Sequence, residues 1–215
     1  MGTYSRDNFC IAAKVLLGWG IVMLSAGYAP ATTINFDTLA DGTPLAEGVI
    51  SGDEYADMGV FFSIADTSFP PGSLIIDNSS GCSSFAGMTE PNTLAVTAYS
   101  PGPSCSLGCN ADIKVNFTAP VTQADILVFS SIPDGVPVQL IARDAAGAIV
   151  DQDEFLGDGG AWDTFTFSVS SPKPNISSIE TYGATGHEAC LSFDNLSFVA
   201  RKTCPACPAI NSLLL

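Results

Sequence analysis

The sequence predicts an all-β domain, and three observations carry the prediction. After residue 31 the chain is a series of short apolar runs separated by Gly, Pro, Asp and Ser. No run has the three-to-four-residue periodicity of a helix. The closing stretch Cys190–Phe198 is a clean strand pattern with one phase change: Leu191 and Phe193 alternate with Ser192, then Leu196 and Phe198 alternate with Ser197. Many short strands with regular turn signals mean a β-sandwich or barrel. A two-residue alternation changes phase only when an extra residue is inserted, so the sequence predicts a β-bulge at Asp194-Asn195.

The first segment is set apart. Arg6 and Lys14 flank the apolar run Val15–Gly27, and Ala29-Pro30-Ala31 follows. That order is the charge, apolar core and small-residue end of a secretory signal peptide, so residues 1–31 are expected to be removed on export. The apolar run is shorter than the ~20 residues a membrane span needs. A single domain is expected over 32–200 and a loosely ordered tail over 201–215, and the product is expected to be secreted.

Taken in order, Ile34-Asn35-Phe36-Asp37 alternates and should open the domain, with a turn at Asp41-Gly42-Thr43-Pro44. Met58–Ile64, Ser73–Asp77 and Thr93–Thr97 read as strands, separated by long polar loops. Ala111–Thr118 sets Ile113, Val115 and Phe117 against Asp112, Lys114 and Asn116. Ala119-Pro120 is expected to turn the chain into Ala124–Phe129. Val136–Arg143 and Ala148–Phe155 flank Asp144-Ala145-Ala146-Gly147, a hairpin with Gly at the left-handed position. Trp162–Val169 alternates with one phase change, and Ile176–Tyr182 and Ala189–Val199 complete about ten strands.

The chain carries 22 acidic against 7 basic residues, a net charge of −15. That balance argues against nucleic acid and anionic membrane surfaces as partners. It also keeps an exported protein soluble. Of seven cysteines, Cys10 lies in the signal segment. Cys82, Cys105, Cys109, Cys190, Cys204 and Cys207 remain, an even number that reads as disulfides in an exported chain. Six cysteines allow about 15 connectivities, with Cys105–Cys109 and Cys204–Cys207 the local choices.

Catalysis has little support in the residues. His187 is the only histidine and stands in a Gly-rich loop without a nucleophile motif. A carboxylate pair suited to glycoside hydrolysis is not marked out among so many acids. Cys204-x-x-Cys207 lacks the helix start that tunes a redox thiol. Asp151–Gly160 is acidic but lacks the ligand spacing of a calcium loop, and reads as a charge-guarded hairpin edge. Tyr55, Tyr99, Trp162 and Tyr182 could form a sugar-stacking platform, although core packing is the expected role for Trp162.

Three stretches together resemble a known family. They are Phe36-Asp37-x-Leu39-x-x-Gly42-Thr43, Tyr55-x-x-x-Gly59-Val60-x-Phe62 and Phe193-Asp194-Asn195-Leu196-x-Phe198. Ile113–Phe117 with Pro120-Val121, and Ala142-Arg143-Asp144-x-x-Gly147, agree with them. The pattern resembles an exported bacterial jelly-roll domain common in proteins sorted by a PEP-CTERM signal, similar to galactose-binding and carbohydrate-binding sandwiches. The resemblance spans Ile34 to Val199. Cys204-Pro205-Ala206-Cys207-Pro208 and Leu213-Leu214-Leu215 stand where the sorting signal would be.

The resemblance implies a jelly-roll β-sandwich of two antiparallel sheets. It also implies a non-catalytic binding module for carbohydrate or extracellular matrix. The alternatives are a structural or adhesive matrix component without a discrete ligand, and a carboxylate-dependent glycoside hydrolase. In a jelly-roll the chain ends meet in one sheet, which would bring Asp37 near Asp194. A structural calcium ion is then expected among Asp37, Asp41, Thr43 and Asp194, since calcium takes six to eight oxygens of mixed origin. Related sandwiches carry such an ion near their chain ends. The competing expectation is that Asp37 caps a turn and Asp194 accepts backbone N–H bonds at the bulge.

Overall fold

The computed structural model describes residues 30–65, 73–77, 92–97, 112–159, 163–183 and 190–200. Residues 1–29 of the expected signal segment, the 201–215 tail, His187, Tyr99, Trp162 and five of the six cysteines lie outside these residues. Cys190 opens the last strand.

The strands are β1 (Thr32–Ile34), β2 (Gly48–Val49), β3 (Val60–Ile64), β4 (Ser73–Asp77), β5 (Thr93–Thr97), β6 (Ile113–Ser131), β7 (Pro137–Arg143), β8 (Ile149–Leu156), β9 (Asp163–Ser170), β10 (Ile176–Tyr182) and β11 (Cys190–Ala200). All pairings are antiparallel, and the fold is a jelly-roll β-sandwich. One layer runs β2-β4-β5-β11-β6-β9, with β1 beside β11. The other runs β3-β6-β10-β7-β8. No helix among the described residues is long and apolar enough to cross a membrane.

The two layers share β6. Its first half, Ile113–Phe117, lies between β3 and β10, and its second half lies between β11 and β9. The sequence predicted a turn at Ala119-Pro120, and the strand instead continues through it as one 19-residue element. The β10 register jumps there, from Ser178 opposite Asn116 to Ile176 opposite Val121. Proline has no N–H to give a ladder, so it is tolerated at such an irregularity. A strand that bends at a corner can serve both sheets of a sandwich.

The core follows the alternations. Ile113 and Val115 from β6, Val60 and Phe62 from β3, and Leu191, Phe193, Leu196 and Phe198 from β11 are all buried. The last four face inward on both sides of the phase change because the predicted bulge exists. The β11 register against β6 shifts between Asp194 and Ser197, and Asn195 has φ 46. One other expectation is corrected. The opening strand ends at Ile34, because Phe36 takes φ 58 and leaves the ladder. In β9, Phe167 and Val169 are buried and Phe165 packs against the core, while the expected phase change involves Trp162, outside the described residues.

The acidic β8 does more than guard an edge. β9 pairs with β6 on one side only, which leaves N–H groups on its other side. Asp153 Oδ2 accepts from Ser168 N at 2.9 Å, and Asp151 Oδ2 accepts from Ser170 N at 2.7 Å. Phe155 and Phe165 stack across the same seam at 3.9 Å. Side-chain carboxylates thus replace the missing ladder partner and join the two layers.

Candidate functional site

Two groups of polar side chains stand out, one open and one sealed. The open one lies on the outward face of the five-stranded layer. Register fixes which side chains share that face. Ser63 of β3 lies opposite Lys114, Lys114 opposite Glu180, Phe61 opposite Asn116 and Asn116 opposite Ser178. Farther along, Ser178 lies opposite Arg143, Tyr182 opposite Gln139 and Gln139 opposite Glu154. The intervening residues of β6, β10 and β7 point into the core.

Glu180 is the centre of this face. Its Oε1 accepts from Lys114 Nζ, and its Oε2 accepts from Arg143 Nε at 3.0 Å and from the Tyr182 hydroxyl at 2.6 Å. Arg143 also donates to Tyr182 Oη at 3.2 Å and to the Gly147 carbonyl at 3.0 Å. The last bond ties the network to the β7–β8 turn, where Gly147 takes the predicted positive φ of 83. Glu180 is only 7% exposed although it sits on an outward face.

Burial acts to raise the Glu180 carboxyl, but hydrogen bonds from Lys114, Tyr182 and Arg143 outweigh it and bring it from 4.5 down to about 2. The folded value is depressed, so the ionised group stabilises the fold fully above pH 4.5. That contribution is lost as pH falls from there towards 2. The partners are partly solvated, which reduces the effect to about 1–3 kcal/mol. Acid unfolding of Glu180→Gln should therefore be shallower than that of the native protein between pH 4.5 and 2. Parallel stability curves would show that the network contributes nothing.

The sealed group lies at the β11 bulge, where the neighbour of β11 changes. β5 pairs with Ser192 and Phe193, and β1 pairs with Leu196 to Phe198. Asp194 and Asn195 fall in the gap between them. Asp194 is fully buried; its Oδ1 accepts from Asn195 N at 2.7 Å. From the chain after β1, Asp37 Oδ1 accepts from Asn92 N at 2.9 Å. Asn92 Nδ2 donates to the carbonyls of Phe36 and Leu45, which fixes the amide orientation and turns its oxygen the other way.

That oxygen and the Tyr55 hydroxyl are buried without a hydrogen-bond partner among the described residues. Burial pushes the Tyr55 hydroxyl well above its usual range, and the charges of Asp37, Glu54 and Asp194 push it further. Both Asp37 and Asp194 therefore act on one buried hydroxyl.

The four expected calcium ligands do not share one environment. Asp41 and Thr43 stand at the exposed tip of the turn, where Asp41 Oδ1 accepts from Thr43 N at 2.8 Å. Asp37 lies at its base against Asn92, and Asp194 at the bulge acts with it on the Tyr55 hydroxyl. No group of three or more His, Cys, Asp or Glu that could hold a metal ion gathers among the described residues. Asn92 was not anticipated, because an amide preceding a strand carries no sequence signal of its own. The Lys114–Glu180–Arg143 set escaped for a similar reason: its members are 66 and 37 residues apart and meet only through strand order. Of the four aromatic candidates, Tyr55 is core, packed edge-on against Phe36 and Phe62. Tyr182 is half-buried on the open face.

No family model matches the chain, and no curated protein matches it in sequence. Solved structures do resemble it. An arabinose-bound MgGH51 α-L-arabinofuranosidase aligns over 81% of this chain at 12% identity and TM-score 0.45, and the chain spans 27% of that enzyme's length. The K1 cleaved adhesin domain of Lys-gingipain from Porphyromonas gingivalis W83 aligns over 80% of this chain and 99% of its own, at 10% identity and TM-score 0.43. A family 29 carbohydrate-binding module from Piromyces equi aligns over 80% and 92%, at 9% identity and TM-score 0.40.

Proposed function

We propose that the chain is an exported, non-catalytic binding module for carbohydrate or extracellular matrix, braced by one structural calcium ion. The observation that supports binding is the Glu180 network. A rigid antiparallel layer holds two cations, a carboxylate and a phenol in fixed positions on an outward face. Groups held in place before a ligand arrives lose less entropy on binding. A glycan array with the mature protein tests the reading, with saturable, sugar-specific signal expected. Uniform weak signal across all sugars would favour a structural matrix component.

The calcium reading draws on the bulge cluster. Asp37, Asp194 and the Asn92 carboxamide oxygen would hold the ion, with the Tyr55 hydroxyl bonding to one of the ligating oxygens. The residues fit: calcium accepts carboxylate and amide oxygens together, and Asn92 Oδ1 and Tyr55 Oη are buried without partners among the described residues. Asp41 and Thr43 stand apart from this set at the exposed tip of the turn. The ion's contribution would be charge, offsetting two carboxylates where β1, β5 and β11 meet.

A further inference from the structure

We infer that the outward face of the five-stranded layer takes a neutral glycan, laid across β6, β10 and β7 with one sugar ring against Tyr182. This rests on the binding-module reading above. Charge selects the class. Lys114 and Arg143 are both paired to Glu180, and the carboxylate of Glu154 stands on the same face beside Gln139. The cations are matched, and the chain as a whole carries −15. An acidic polysaccharide would meet no net attraction there and a repulsive field beyond it.

Hydrogen-bonding capacity fits a polyol. Arg143 spends three of its five donors on Glu180, Tyr182 and Gly147. Lys114 spends one of three. Gln139 gives its amide N–H to Glu154 at 2.7 Å and keeps its carbonyl oxygen as an acceptor. Donors on Lys114 of β6 and Arg143 of β7, and an acceptor on Gln139 of β7, therefore stand on one face, within the span of a short oligosaccharide.

Apolar contact is present as well. The Tyr182 hydroxyl is anchored by Glu180 and Arg143, which fixes the ring that the C–H face of a sugar can pack on. Phe61 is 39% exposed on the same face, two strands from β10 and level with Ser178, so roughly 15 Å from Tyr182.

The test is titration calorimetry of the mature protein with mixed-linkage β-glucan, galactomannan, arabinoxylan and polygalacturonate, at low and high salt. Saturable binding to at least one of the three neutral polymers is expected, nearly independent of salt. Tyr182→Ala, Arg143→Ala and Gln139→Ala should each weaken it about tenfold, with Tyr182→Phe in between because it keeps the ring. A thermal melt of each variant separates lost binding from lost fold, and Gln139→Ala touches none of the Glu180 ion pairs. If the native protein binds a neutral glycan and these variants bind equally well, the face is wrong and the module reading stands. Salt-sensitive preference for polygalacturonate overturns the neutral class. Binding to none of the four, with no signal on the array, overturns both readings.

Discussion

Gly52→Ala should destabilise the protein by about 3–5 kcal/mol. A Cβ at this position would lie 2.1 Å from the Phe62 carbonyl oxygen and 3.2 Å from Leu74 Cδ1. Neither backbone can retreat cheaply. Phe62 N donates to the Gly52 carbonyl at 2.8 Å, and Gly52 N donates to Glu54 Oε2 at 2.8 Å. Overpacking of this kind costs about 1–3 kcal/mol and sometimes more. The positive φ of 93 adds about 1–2 kcal/mol for any residue with a Cβ. The damage would reach the candidate ion site, because the strap over the β3 edge leads directly into Tyr55. Gly147→Ala is the control: its φ is 83, but nothing lies within 4 Å of the added carbon. It should lose only about 1–2 kcal/mol in urea unfolding. Equal losses at the two positions would show that φ alone, not contact with Phe62, sets the cost.

The strands were legible where a simple alternation holds the chain between core and solvent. Thr93–Thr97 and Ile176–Tyr182 match the structure at both ends, and the bulge at Asp194-Asn195 was readable because a phase change has one cheap explanation. Pro120 misled for a physical reason. Local chemistry favours a turn there, and tertiary pairing on both sides of β6 overrides it. β2, only two residues long, carries no pattern to read. The candidate binding face was less legible than the fold. Tyr182 was visible as an aromatic, but its value comes from Glu180 and Arg143, and Arg143 arrives from another strand. For the proposed ion site the sequence offered Asp37 and Asp194 through the meeting of the chain ends, with Asp41 and Thr43 from the turn. It did not point to Asn92, whose place beside Asp37 depends on how the chain before β5 packs against the turn.

Calcium should raise the melting temperature of the mature protein by about 5–10 °C at a hundredfold excess over its dissociation constant. Binding to the folded state alone contributes about 2.7 kcal/mol at that excess. For a domain of 150–250 residues each kcal/mol moves the midpoint by about 2–4 °C. Asp194→Asn is the decisive variant. The substitution keeps the size of a fully buried side chain and an oxygen to accept the Asn195 N–H. It removes one of the three carboxylates that act on Tyr55. With chelator present, Asp194→Asn should melt at or above the native protein, because a fully buried carboxylate is costly without a cation to offset it. With calcium present the order should reverse, as only the native protein gains. Asp41→Asn should respond to calcium as the native protein does, since Asp41 is exposed and engaged with Thr43. A native midpoint that calcium and chelator leave unchanged would mean that no ion binds. Full loss of the calcium response in Asp41→Asn would instead place the ion at the turn tip and not at the bulge.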